Sequence, residues 1–132
     1  MTMNMHDIPG IHRHWVSVGA YTNSTDDAKS DVLMVVPFTG KLKSVKAYFQ
    51  GTANVVGGTA TDYFTFTTKV GANAIGTVGP SGTIGFMSAL TLYSGAQALA
   101  ENDVISIQYG TAGGTAALSA PRCLVELQYE GA

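Results

Sequence analysis

The amino-acid sequence predicts an all-β protein, an antiparallel β-sandwich with eight strands in jelly-roll order. Three observations lead to this prediction. Short β-rich runs are separated by turn residues, several runs alternate apolar and polar side chains, and only 12% of the 132 residues are charged. Helical bundles expose many more Glu and Lys residues. Disordered chains combine low hydrophobicity with high charge, whereas 45% of this chain is hydrophobic.

The length suits one domain with its own core, preceded by an arm. Residues 1–14 have no clear period and contain the turn signal Pro9-Gly10, so they are predicted to form an extended N-terminal arm. Residues 15–132 are predicted to form the β-sandwich domain. The predicted strands span residues 15–20, 32–37, 42–50, 62–70, 73–78, 84–92, 104–109 and 122–129.

Alternation assigns a core face and a polar face to several strands, as in antiparallel sheets with one solvated side. In the third predicted strand, Val45, Ala47 and Phe49 share the core face, and Ser44, Lys46 and Tyr48 share the polar face. The core faces of the other strands are predicted to carry Phe64, Phe66, Ile105, Ile107, Tyr109, Cys123, Val125, Leu127 and Tyr129, with Glu126 among the opposing polar residues.

Two connections have specific predictions. Residues 38–41 should link two strands tightly, with Gly40 free to take a positive φ. Residues 94–102 could hold a helical turn, but a loop that feeds the next strand is the preferred interpretation.

Composition argues against several classes of function. The net charge of -2 and the absence of a basic cluster with aromatic residues argue against nucleic-acid binding. Cys123 is the single cysteine, so no intramolecular disulfide is expected, and its strand context predicts a small buried side chain. The sequence shows no secretory signal and no apolar run of about 18 residues, so synthesis in a cytoplasm without membrane insertion is expected.

No catalytic residue, cofactor or metal ion is predicted, and the protein is not expected to be an enzyme. The sequence has no nucleophile elbow and no phosphate-binding glycine motif. His12 and His14 would face the same side of an extended chain, but a metal site would need His6 or Asp7 to fold back as a further ligand. Histidines at a contact surface are the better interpretation.

The acidic stretch of Asp26, Asp27 and Asp31 leaves two interpretations open. Closely spaced carboxylates can hold Ca²⁺, but the stretch has neither the turn glycine nor the closing Glu of an EF-hand loop. A solvated loop with Asx turns explains these residues equally well.

Two segments resemble elements of bacteriophage virion β-sandwich proteins. Residues 37–47, PFTGKLKSVKA, resemble a hairpin turn of the type P-F-x-G-x-L that leads into a V-x-A strand. Residues 99–107, LAENDVISI, are similar to the pattern L-x-x-G-D-x-I-x-I at the start of a late strand, with Glu101-Asn102 where glycine is common. The resemblance covers roughly half of the chain, and C1q-like jelly rolls share parts of it.

The resemblance implies a capsid decoration (cement) protein, a jelly-roll homo-oligomer, with a trimer favoured, on the surface of the virion head. Its expected partner is the major capsid protein or another virion lattice protein, and neither nucleic acid nor a membrane is expected to bind. The arm and its junction with the sandwich would contact the partner, and large aromatic and apolar anchors dominate such contacts. The predicted partner-binding residues are Ile8, Ile11, His12, His14 and Trp15.

The alternative is a tail-fibre or head-fibre module that binds a receptor or a carbohydrate. Such a module would use exposed aromatic side chains. The candidates are Tyr21, Tyr48, Tyr63 and Tyr93.

Overall fold

The computed structural model describes residues 10–19, 28–50, 55–56, 63–78, 83–84, 89–112 and 122–131. These residues form strands and no helix, which confirms the all-β prediction. The strands are β1 (Ile11–Val18), β2 (Ser30–Val35), β3 (Gly40–Gln50), β4 (Val55–Val56), β5 (Tyr63–Val70), β6 (Asn73–Val78), β7 (Thr83–Ile84), β8 (Ala89–Leu99), β9 (Val104–Ala112) and β10 (Arg122–Gly131).

Eight strands form two four-stranded antiparallel sheets, and β4 pairs with β7 in a small separate sheet. The first sheet has the order β1-β10-β3-β8, and the second has the order β2-β9-β5-β6. The chain therefore passes between these two sheets six times, as in a jelly roll: from β1 to β2, β2 to β3, β3 to β5, β6 to β8, β8 to β9 and β9 to β10. This order confirms the predicted fold.

The core lies between the two sheets and follows the predicted alternation. In the first sheet, Val125 pairs with Ala47 and Leu127 pairs with Val45, and all four side chains are buried. In the second sheet, the Phe66 and Tyr109 rings pack with their centroids 5.8 Å apart. The buried apolar residues are Val18, Leu33, Val36, Phe38, Leu42, Val45, Ala47, Phe66, Val70, Leu92, Leu99, Ile105, Ile107, Tyr109, Cys123, Val125 and Leu127.

An irregularity in β3 explains why its buried residues do not follow one strict alternation. Gln128 pairs with Ser44, but the next residue, Tyr129, pairs with Leu42, so Lys43 is an extra residue in β3. Such a bulge shifts the side-chain alternation by one position. Leu42 and Val45 therefore both face the core.

Three predicted strand boundaries were wrong. The first strand begins at Ile11, so residues 11–14, which were predicted as part of the arm, are paired with β10. The predicted strand 84–92 is divided between β7 and β8. The predicted loop 94–102 is strand as far as Leu99, because its backbone pairs with the start of β3 and Leu99 enters the core.

The link between β2 and β3 crosses from one sheet to the other and is not the hairpin that the sequence resemblance implied. The prediction for Gly40 was also wrong, since the positive-φ glycines of the described chain are Gly10, Gly19 and Gly71. Glycine is needed at position 40 for space: a Cβ there would collide with the Glu130 carbonyl oxygen and lie 2.9 Å from the Phe38 ring.

The link between β8 and β9 has the turn geometry that a glycine would give. Asn102 has a φ of 72°, in the left-handed region that Asn tolerates better than most residues. Its amide donates to the Val36 carbonyl (2.7 Å), and the Val36 amide donates to the Asp103 carbonyl (2.8 Å). The two crossing links are therefore hydrogen-bonded to each other at one end of the sandwich.

The two ends of the sandwich differ in their connections. The links at residues 36–39, 71–72 and 100–103 are short and lie at one end, which also holds the start of β1 and the end of β10. The strands that flank residues 19–29, 51–62, 79–88 and 113–121 end at the opposite side.

Candidate functional site

The predicted partner-binding residues that the structure describes all lie on β1, but on two different faces. His12 pairs with Tyr129 and His14 pairs with Leu127, so both histidines share the side of the sheet that faces the sandwich. Ile11 and Trp15 lie on the opposite, outer side. Ile8 lies outside the described residues.

The outer side of the first sheet carries an apolar surface, the outer patch, formed by Ile11, Trp15, Tyr48 and Leu124. Ile11 is 61% exposed, Trp15 46% and Leu124 37%, while Tyr48 is half-buried. Trp15 belongs to β1 and Tyr48 to β3, the two strands that flank β10, and the centroids of their rings are 5.7 Å apart. The two rings therefore meet above β10.

A nearly buried carboxylate lies in the strand opposite Trp15, at a position that the alternation assigns to the polar face. Glu126 pairs with Trp15 on one side and with Lys46 on the other, and it is only 4% exposed. Its Oε1 accepts a hydrogen bond from Gln128 Nε2 at 2.9 Å. The Ser44 hydroxyl, which lies opposite Gln128 on β3, is buried without a hydrogen-bond partner among the described residues. The outer side of the first sheet therefore combines two aromatic rings with polar groups at neighbouring register positions.

A second surface feature, the β1–β2 groove, lies between the first strands of the two sheets. The ring of His12 stacks on Tyr129 at a centroid distance of 5.4 Å, and Tyr129 stacks on Phe38 at 4.8 Å. The groove has a volume of about 450 Å³. Its lining residues are His12, Arg13, His14, Met34, Val35, Pro37 and Tyr129. It offers imidazole, guanidinium and apolar groups, which suits a contact surface.

The candidate metal-binding residues from the sequence do not form a metal site in the described part of the chain. Among the described residues, no three His, Cys, Asp or Glu side chains come together as metal ligands. Of the acidic stretch, the structure describes Asp31, which is half-buried in β2; Asp26 and Asp27 lie outside the described residues, as do His6 and Asp7.

Cys123 is buried in the core, as predicted from its strand context. Burial raises the pKa of its thiol from 9.0 to about 12, and the Asp31 carboxylate adds to the increase. A nucleophilic cysteine needs a lowered pKa and solvent access, so these conditions do not suit a reactive thiol.

Of the four aromatic candidates for ligand binding, the structure describes the side chains of two. Tyr48 belongs to the outer patch, while Tyr93 is half-buried and packs against the core. Tyr21 and the side chain of Tyr63 lie outside what the structure describes.

The neighbourhood of Trp15 with Tyr48, Leu124 and Glu126 is not visible in the sequence. Their proximity depends on the pairing of β1 and β3 with β10, strands that are far apart along the chain. A weak signal was present: Tyr48 and Leu124 both occupy positions that alternation assigns to the polar face, where an apolar side chain indicates a contact surface.

The fold and this surface define a jelly-roll sandwich with an exposed apolar patch on the outer side of its first sheet. No family model matches the chain, and no curated protein matches it. A solved structure from the work "Bacillus endospore appendages form a novel family of disulfide-linked pili" is similar, with 15% sequence identity and a TM-score of 0.42 over 100% of this chain and 98% of that chain. A likeness at this level supports no conclusion about function. The described residues also contain no helix that could span a membrane.

Proposed function

We propose that this protein is a non-catalytic structural subunit of a bacteriophage particle, a capsid decoration protein that binds and stabilises the head lattice. The outer patch carries this proposal, because it presents a half-exposed Trp15 ring on a four-stranded sheet. Tryptophan is among the residues that contribute most to protein interfaces. The assignment to a phage particle is supported by the sequence resemblance over residues 37–47 and 99–107.

The proposed partner is the major capsid protein or another protein of the virion lattice, and the proposed location is the capsid surface after synthesis in the host cytoplasm. The outer patch would bind first, and residues 1–9, which precede β1, would extend the contact. Low charge across the chain supports this role, since only 12% of its residues are charged and many copies would pack side by side on a shell.

The contribution of Trp15 follows from its exposure. Its ring is 46% exposed, which for a large aromatic side chain corresponds to about 100 Å² of surface. Covering that area would stabilise binding by about 2.5 kcal/mol. A Trp15→Ala variant should therefore bind the lattice at least tenfold more weakly than the wild-type chain.

Binding to phage heads that lack this protein tests the proposal, with the bound fraction measured by co-sedimentation. Val32→Ala is the matched control, because Val32 is a 59% exposed apolar residue of the second sheet. We expect Val32→Ala to bind like the wild type and Trp15→Ala to bind weakly, at a temperature at which circular dichroism shows that all three proteins are folded. Trp15→Ala should melt at a lower temperature than the wild type, because it loses the ring contact with Tyr48. Equal binding by all three proteins would exclude the outer patch as the surface that binds the lattice. No binding of the wild type to the heads would refute the decoration role.

A receptor-binding or carbohydrate-binding module is the second candidate, and the Trp15 and Tyr48 rings beside Gln128 favour it. Aromatic faces stack on sugar rings, and amide groups hydrogen-bond sugar hydroxyls. A glycan array probed with the full chain separates the two proposals. Binding to a defined glycan that Trp15→Ala abolishes would support this candidate, and an array without binders would count against it.

A further inference from the structure

The four strands at the edges of the two sheets differ in regularity. β2, β6 and β8 each have at least one register shift against their neighbours. β1 pairs with β10 over eight consecutive residues without a shift, from Ile11 opposite Glu130 to Val18 opposite Cys123. Bulges at an edge hinder the addition of another strand, and β1 lacks this protection.

β1 also has no second pairing partner among the described residues, because it is the terminal strand of the first sheet. Its edge is long and regular, and exposed apolar side chains occur at Ile11 and Trp15. Prolines and inward-pointing charges are other devices that block edge pairing. The sequence of β1, IHRHWVSV, has no proline, and its single charged residue other than histidine, Arg13, lies on the outer side.

We infer that β1 pairs antiparallel with β1 of a second copy of this chain, around a two-fold axis at His14, which joins two four-stranded sheets into one of eight strands. The partner is a second copy because β1 is complementary to itself in one register. This inference does not depend on the phage role. It differs from the trimer expected from the sequence, because a two-fold axis closes a dimer.

The residues that would face each other across the two β1 strands favour one register of the dimer. With His14 opposite His14, Arg13 lies opposite Trp15 of the second copy, twice in the dimer. A guanidinium over an indole ring is a favourable cation–π pair. A register with Arg13 on the axis would place two like charges opposite each other, which destabilises a sheet. A register with Trp15 on the axis would lose both cation–π pairs.

Disulfide formation between single-cysteine variants tests both the pairing and the register. His14→Cys in the full chain would place two thiols directly opposite each other, within the range of Cα distances that a disulfide spans. Arg13→Cys and Trp15→Cys would each place identical thiols on a diagonal of about 7 to 8 Å, which is too far. Position 14 is exposed, so the substitution should not disturb the fold.

Under mild oxidation, we expect His14→Cys to form a covalent dimer, while Arg13→Cys and Trp15→Cys each remain monomeric on a non-reducing gel. A mixture of Arg13→Cys and Trp15→Cys should form the mixed disulfide. The wild-type chain is the control for Cys123, which is buried and should not cross-link. A monomeric His14→Cys, or equal cross-linking at all three positions, would overturn the inference.

Sedimentation of the full chain in solution, without particles, provides a measurement that needs no cysteine. The wild type should sediment as a dimer, and His14→Lys should weaken the dimer about fivefold, because it places like charges opposite each other. Ser17→Lys, which would face Ile11 of the second copy, should leave the dimer intact. A trimeric or monomeric wild type would overturn the inference, as would a dimer that appears only after deletion of residues 1–9. The decoration role is measured on phage heads, so the two proposals fail independently.

Discussion

The buried thiol of Cys123 makes the stability of the fold depend on pH in the alkaline range. The side chain is 1% exposed, and burial raises its pKa from 9.0 to about 12. In the unfolded chain the thiol would lose its proton near pH 9, while in the folded chain it keeps the proton. The unfolded state therefore binds fewer protons above pH 9, and the free energy of unfolding decreases as the pH increases.

The magnitude follows from the two pKa values. At pH 10 the unfolded thiol is mostly ionised and the folded thiol is not, which lowers the free energy of unfolding by about 1.4 kcal/mol relative to pH 7. Any folded pKa above about 11 gives nearly the same value. Cys123→Ala removes this dependence, and at pH 7 it costs about 1 kcal/mol because it removes a buried atom from the core.

Urea unfolding of the wild type and Cys123→Ala at pH 7 and pH 10 provides the test. Lysine and tyrosine titrations are common to both proteins, so they cancel in the difference between the two free energies. We expect the wild type to be the more stable protein at pH 7 and to lose that advantage by pH 10. A difference that stays constant from pH 7 to pH 10 would refute the burial of the thiol.

Three further predictions concern the packing and the turns, and each is tested by chemical denaturation. Gly40→Ala should lower the free energy of unfolding by about 1 to 3 kcal/mol, because the added Cβ collides with the backbone of Glu130. Gly76→Ala is its control and should lower the free energy of unfolding by less, because its Cβ would lie 3.3 Å from the nearest backbone oxygen. Asn102→Ala should cost about 1 kcal/mol because its φ is 72°, whereas Asn102→Gly should cost little; equal losses would contradict the left-handed turn. Phe66→Ala should cost about 3 to 5 kcal/mol, and a loss below 1 kcal/mol would contradict its burial.

The sequence was most informative where local alternation decides the structure. Ile105, Ile107 and Tyr109 alternate with polar residues, and all three are fully buried in the second sheet. The same holds for Val125 and Leu127 in the first sheet. A strand with one buried face displays that face directly in its sequence, so the fold class could be predicted from these runs.

The boundaries of strands were less predictable where pairing with a distant strand, and not the local composition, stabilises the extended backbone. Ser94–Leu99 has small and polar residues with little β-propensity, yet it extends β8 because the start of β3 lies beside it. Residues 11–14 likewise gained their strand structure from β10. Such long-range pairing leaves no local pattern in the sequence.

The candidate site was predicted only in part, for the same reason. The sequence predicted Trp15 and Ile11 as contact residues; both are exposed, and their contact role stays a prediction. The contact of Trp15 with Tyr48, and the burial of Glu126 opposite Trp15, depend on which strands become neighbours of β10. Two histidines that were grouped with Trp15 by their proximity in sequence lie on the opposite side of β1.

The adjacent positions of Ile11 and Glu130 have a mechanical consequence. Both ends of the described chain leave the sandwich at the same side, on two neighbouring antiparallel strands. A pulling force applied through the two ends would therefore open β1 from β10 one backbone hydrogen bond at a time, as a zipper opens, and would not load all the bonds at once. We expect the fold to resist tension poorly in this direction, so a particle that contains it should transmit load through the faces of its sheets.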